Sequence, residues 1–257
     1  SRLGDGIVTS VNVATKLIQL PQGLIAMGLT AASFPMLSAY SHSNQFSHAA
    51  RLAGNVSLVI LMLALPVTAF LVVTADLVIR IVFGQTTFSQ EGLVVTTRIL
   101  GLSALSLPAL ALNIFLLRVF YALTTWRIPL LGFLAGFVVK LVFSHGLLGV
   151  LGIDTIALST VLATSLTSLI MAVNLKDGLN CVFGTSFVAG VGRILIATIL
   201  VTLLVVGARR VIMHFAPDLW DVGLFSVLAV LASLAMLVLL KSILRAELAL
   251  FWQLRAR

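Results

Sequence analysis

Thr9, Asn12, Lys16 and Gln19 stand near the start of the chain in the run TSVNVATKLIQLPQGLIAMGL, which is otherwise apolar enough to cross a bilayer. Helical positions three, four and seven apart share a face. The four polar residues therefore form one stripe, with Thr15 at its border and Ile7, Val11, Leu17 and Ile18 mostly off it. A lysine at mid-membrane costs about 2.5–3.5 kcal/mol, which is large against the marginal stability of a folded chain. The stripe is expected to face water or protein, and the default expectation for such a residue is a substrate or ion pathway. A second reading stays open. Lys16 lies about 15 Å along the helix from Gly6, so its stem can also carry the amine back to the interface by snorkelling, or serve a structural pair.

Lys140, in GFVVKLVFSHG, is the second intramembrane amine and a candidate for lining the same cavity or pairing with a lipid phosphate. His145 follows five positions on and is only loosely its neighbour. His42, His48 and His214 fall in expected loops, without metal-ligand spacing to another His, Cys or carboxylate. The eight carboxylates (Asp5, Asp76, Glu91, Asp154, Asp177, Asp218, Asp221 and Glu247) all map to span ends. No intramembrane aspartate pair, His-Glu-x-x-His or Gly-x-Ser-x-Gly is present. Neither an enzyme nor a cofactor or metal site is expected. The single cysteine, Cys181, excludes an internal disulfide and a cysteine metal cluster, and reads as an inert thiol.

The elements that carry these residues follow from composition. Of 257 residues 60% are apolar and 9% charged, with a mean hydropathy of +1.19, against about 25% charged in a soluble domain. Residues 52–75, 99–117, 155–175 and 222–240 carry no charge, and each is near the ~20 residues that a helix needs to cross the hydrocarbon. Strand-like alternation is absent, which argues against a barrel. The expected fold is an all-α polytopic membrane protein of about seven spans. They are placed at 7–38 (interrupted near Pro21 and ended by Pro35), 52–75 (kinked at Pro66), 96–121 (Pro108 inside), 129–149, 154–175, 190–212 and 220–244. A short interfacial helix, a turn at Gly84 and a helix start near Ser89 are expected between the second and third. The tail KSILRAELALFWQLRAR suits a basic helix at a headgroup surface. Gly28 with Ala32 and Gly132 with Gly136 form small-xxx-small pairs that let helices approach closely.

The net charge of +8 comes from Lys and Arg at span ends, without the aromatic interleaving that suggests nucleic acid. If the chain begins outside, nine basic residues lie inside (Arg51, Arg118, Arg127, Lys176, Arg193, Lys241, Arg245, Arg255, Arg257) and five outside (Arg2, Arg80, Arg98, Arg209, Arg210). The start is thus expected outside and the end in the cytoplasm. The opening SRLGDG reads as a loop and not as a signal peptide, and the chain is expected to continue upstream.

Three segments carry a resemblance. VTSVNVATKLIQLPQGLIAMGLTAASFPMLSAYS resembles a stretch of the MurJ (MviN) lipid II flippases, in which Tyr-Ala-Asp-Arg-Leu leads to a glycine-rich run ending in Leu-Pro-x-Leu-Ser. IVFGQTTFSQEG is similar to the family's Leu-Phe-x-x-Gly-x-Phe-Thr, and LLRVFYALTTWRIP to its Arg-x-Phe-Tyr-Ala-x-x-Asp-Thr-Arg-Thr-Pro. The likeness runs from Val8 to about Asp177.

The resemblance implies a fourteen-span, two-lobe transporter in the bacterial inner membrane. Such a protein moves undecaprenyl-pyrophosphate-linked peptidoglycan precursor to the outer leaflet by alternating access, in cell-wall biogenesis. This chain would supply spans eight to fourteen, with a periplasmic start and a cytoplasmic end. Residues 1–177 would be a partial C-terminal lobe of five spans lacking its first helix; 178–257 would be two additional spans and the basic tail. The partners implied are the lipid-linked precursor, membrane lipids and the N-terminal lobe. Lys16 falls on the family's cavity arginine, Thr15 on its aspartate, Gln19 on its glutamate and Thr9 on its cavity Ser/Thr, so the charge survives and both carboxylates are gone. Lysine is a point charge without arginine's planar fork, but it still attracts a pyrophosphate, with Asn12 and Thr9 beside it. The acyl tail would lie along 190–244. The alternatives are a degenerate or split-gene membrane module without transport, and a related exporter of polysaccharide or drugs.

Overall fold

The computed structural model describes residues 5–83, 90–146, 149, 152–179, 190–196, 198–200, 202–203 and 206. Among them six helices follow one another: α1 (Asp5–His42), α2 (Phe46–Phe83), α3 (Gln90–Ala104), α4 (Leu107–Ala122), α5 (Arg127–Gly146) and α6 (Asp154–Leu179). Residues 190–196 are helical as well. α1, α2, α5 and α6 are each long and apolar enough to span a membrane, and α3 with α4 makes a fifth span if the bent pair is taken as one. The chain is a polytopic all-α membrane protein. The seventh expected span and the basic tail lie outside the described residues, as does part of the sixth.

Prolines mark the differences from the expected boundaries. α1 runs unbroken through Pro21 and Pro35 to His42. A proline removes one backbone donor, and a packed membrane helix tolerates this where neighbours re-satisfy the freed carbonyl. What ends α1 is Asn44, at φ 55. Its N–H donates to Ser41 O and the Gln45 N–H to Tyr40 O, closing a Schellman turn. The α4–α5 turn repeats the device with Thr124 at φ 55 and bonds from Thr124 N to Tyr121 O and from Thr125 N to Phe120 O.

α2 is longer than the expected 52–75, and its non-helical residue is Thr74 (φ −110, ψ 15), not Pro66. The expected interfacial helix is the end of α2 beyond that break. The expected turn at Gly84 lies outside the described residues, and α3 starts at Gln90, beside the expected Ser89. The expected third span is two helices bent by 48°. Pro108 opens α4 instead of interrupting it, where the missing N–H is one of the helix's orphan donors in any case.

α1 packs against α2, α3 and α4. α4 and α3 pack on α6, whereas the main neighbour of α5 is α6. Leu107, Ala111, Phe115 and Val119 of α4 are buried at the centre. Lipid tails are as apolar as Leu, so association here rests on close packing and interhelical hydrogen bonds. At the α5–α6 contact Gly132 and Gly136 supply the closeness, and Thr167 Oγ1 donates to Gly132 O at 3.1 Å or to Ala163 O at 2.9 Å. The other small pair differs: Ala32 is exposed and Gly28 has open space where a Cβ would stand.

Candidate polar face and interhelical cluster

The first half of α1 divides cleanly. Ser10, Ala14 and Ile18 are buried, and the same side continues through Ala26, Thr30, Ser33 and Leu37. Thr9, Asn12, Lys16 and Gln19 are all exposed, on the side away from α2, α3 and α4. This separation follows from the 100° step of the helix, which puts small and apolar residues on one side and hydrogen-bonding groups on the other. Among the described residues Lys16 takes part in no ion pair or hydrogen bond, so its three donors are available to a ligand or to water. Thr15 is exposed at the border, but its hydroxyl donates to Val11 O at 2.8 Å and serves the helix's own backbone. Past Gln19 the exposed side turns apolar, with Leu20, Leu24 and Met27. One continuous face of α1 is thus polar and cationic in its first half and apolar in its second.

Lys140 is exposed on α5, beside the exposed Phe137 and Leu141. It belongs to the α5–α6 pair, whereas Lys16 belongs to the group formed by α1, α2, α3 and α4. α4 touches both α1 and α5, but α1 and α5 are not in extensive contact with each other. His42, His48 and His145 are exposed; the ring of His48 stacks on Tyr40 with centroids 5.6 Å apart. Among the described residues no group of three or more His, Cys, Asp or Glu is placed to hold a metal.

Two constellations were not singled out from the sequence. Asn113 of α4 is buried and reaches α6: its Nδ2 donates to Thr164 O at 3.1 Å, and Ser168 Oγ donates to its Oδ1 at 2.8 Å. A lone amide inside an uncharged run, facing hydroxyls at spacings of three and four on another span, was the available signal. The second is an ion pair between Arg98 of α3 and Asp154, the first residue of α6. The Asp154 side chain is 11% exposed and that of Arg98 70%. The start of a helix favours a carboxylate through its dipole, so Asp154 is held by two positive influences.

The family model for "Lipid II flippase MurJ" matches residues 1–244. A probable lipid II flippase MurJ of Rhizobium meliloti (strain 1021) is 30% identical over 127 residues, 49% of this chain and 24% of that protein. One of Bdellovibrio bacteriovorus is 24% identical over 176 residues, 68% of this chain and 34% of that protein. A solved structure of the lipid II flippase MurJ in an inward closed conformation matches with a TM-score of 0.74 at 16% identity, covering 95% of this chain and 48% of that one. The chain thus spans about half the length of that solved relative. The chain belongs to the MurJ lipid II flippase family, and its fold matches the half of the solved relative that it covers.

Proposed function

We propose that this member of the lipid II flippase family works as part of a transporter. It carries undecaprenyl-pyrophosphate-linked peptidoglycan precursor across the bacterial inner membrane by alternating access. In this reading the exposed face of α1 lines a water-filled cavity, completed by a further lobe. Lys16 receives the pyrophosphate, with Asn12, Thr9 and Gln19 donating and accepting around it. A point-charge amine with three donors suits a diphosphate whose oxygens present in several directions. The binding energy holds the headgroup while two lobes rock about it. Residues 1–177 are assigned to one lobe and 178–257 to two additional spans that take the acyl chain. The excess of basic residues at alternate span ends supports a periplasmic start and a cytoplasmic end. Nothing in this reading calls for catalysis of a covalent step.

The observation that carries the proposal is the pairing on one helix of an exposed cationic stripe with a fully packed opposite side. An amine with no partner among its neighbours has a reason to be there only if a wet or anionic surrounding meets it. The test is depletion of the native flippase in cells, followed by rescue with the natively expressed protein carrying Lys16→Ala or Lys16→Arg. Loss of rescue by Lys16→Ala at normal protein level, with rescue kept by Lys16→Arg, is expected. Full growth with Lys16→Ala removes Lys16 from the mechanism.

A further inference from the structure

Two helix breaks meet at one place in the fold. α2 breaks at Thr74, and α3 gives way to α4 at Leu105–Ser106 with a 48° bend. The breaks adjoin: a Cβ at Gly101 would stand 3.8 Å from Ala75 Cβ and 4.0 Å from Val72 O. Gly101 is itself about one helical turn from the α3–α4 break. Each break also carries a hydroxyl bonded back to its own helix. Thr74 Oγ1 donates to Phe70 O at 2.7 Å, and Ser106 Oγ to Ser103 O at 2.6 Å. Hydroxyls bonded back to the helix in this way favour a bend, so each joint carries a local device that suits its break. Beyond the joints lie residues 75–83 of α2 and all of α3, and the two helices pack on each other. The ion pair from Arg98 crosses from this unit to Asp154 of α6.

We infer that residues 75–83 and α3 form one hinged unit, swinging about the adjoining breaks at Thr74 and Leu105–Ser106, and that the Arg98–Asp154 ion pair is the latch that holds it against α6. The inference does not depend on what the protein transports. Arg98 is largely in water, so the latch is weak enough to open, whereas Asp154 is mostly enclosed and relies on its partner when the latch is closed. Ala75, buried at 4% exposure in the joint, is the reporter.

The test uses the natively expressed protein in membrane vesicles, with its other cysteines replaced, including Cys181→Ser, and with Ala75→Cys as the one thiol. The readout is the rate of its modification by a membrane-impermeant maleimide. Arg98→Gln and Asp154→Asn are each expected to raise the rate about two- to fivefold, the ratio that a partly exposed ion pair supplies. Arg98→Lys, which keeps the charge, should label as the parent does. Arg98→Gln replaces an exposed side chain and leaves no cavity, so it reports even where Asp154→Asn fails to insert. Unchanged labelling in Arg98→Gln overturns the latch. So does a raised rate in Arg98→Lys, because that outcome means a packing defect and not a lost pairing of charges.

Discussion

Gly136→Ala should loosen the α5–α6 pair more than its one added methyl suggests. A Cβ at Gly136 would collide with Thr167 Oγ1 and stand 2.9 Å from Ala163 O. The hydroxyl can rotate away, but it then gives up its bonds to Gly132 O and Ala163 O. The Ala163 carbonyl is helix backbone and cannot yield, so α5 must move outward by several tenths of an ångström. Overpacking of this kind costs about 1–3 kcal/mol, and an interhelical hydroxyl bond in a membrane about 0.6–1.7 kcal/mol. Together the loss is about 2–4 kcal/mol. It falls on a helix whose main neighbour is α6, so little else holds α5 in place. The assay is thermal unfolding of the natively expressed protein in lipid–detergent micelles, with disulfide trapping between cysteines placed on α5 and α6 as a local readout. Gly28→Ala is the control: its Cβ meets nothing within 4 Å, and alanine is the better helix former by about 1 kcal/mol. The expected result is a clearly lowered midpoint and slower trapping for Gly136→Ala, with Gly28→Ala unchanged or slightly raised. Parent-like behaviour of Gly136→Ala would refute the close-contact reasoning.

Asn113→Ala removes two of the bonds between α4 and α6, leaving that from Ser168 Oγ to Ala109 O, and should cost about 1–2 kcal/mol by the same unfolding measurement; Asn113→Ala with Ser168→Ala should cost less than the sum of the two, because they share one network. Thr124 sits at φ 55, strained for a β-branched side chain, so Thr124→Gly should raise stability by about 1 kcal/mol. An unchanged midpoint for Thr124→Gly would mean that the Thr124 hydroxyl, which donates to Leu123 O at 2.7 Å, offsets the strain.

What the sequence disclosed, and what it withheld, follows from the range of each interaction. The stripe on α1 was legible because Thr9, Asn12, Lys16 and Gln19 obey one helical period, and a period is local information. The prolines misled for the opposite reason. Pro21 and Pro35 signal breaks, yet α1 runs through both, while Pro108 marks a helix start. The break at Thr74 has no sequence signature. Neither has the pairing of Arg98 with Asp154, which depends on how α3 settles against α6. Gly132 and Gly136 were visible as a pair, yet only the position of Thr167 tells them apart from Gly28 and Ala32.

The account rests on one side of α1 being wet while the other is packed. Cysteines placed singly at positions 9, 10, 12, 14, 16, 18 and 19 of the natively expressed protein, modified in intact membranes by a small charged thiol reagent, measure this directly. The account predicts fast reaction at 9, 12, 16 and 19, slow reaction at 10, 14 and 18, and, with Lys16 in place, protection of positions 12 and 19 when lipid-linked precursor is added. A position 16 that stays unreactive while position 10 or 14 labels would contradict it.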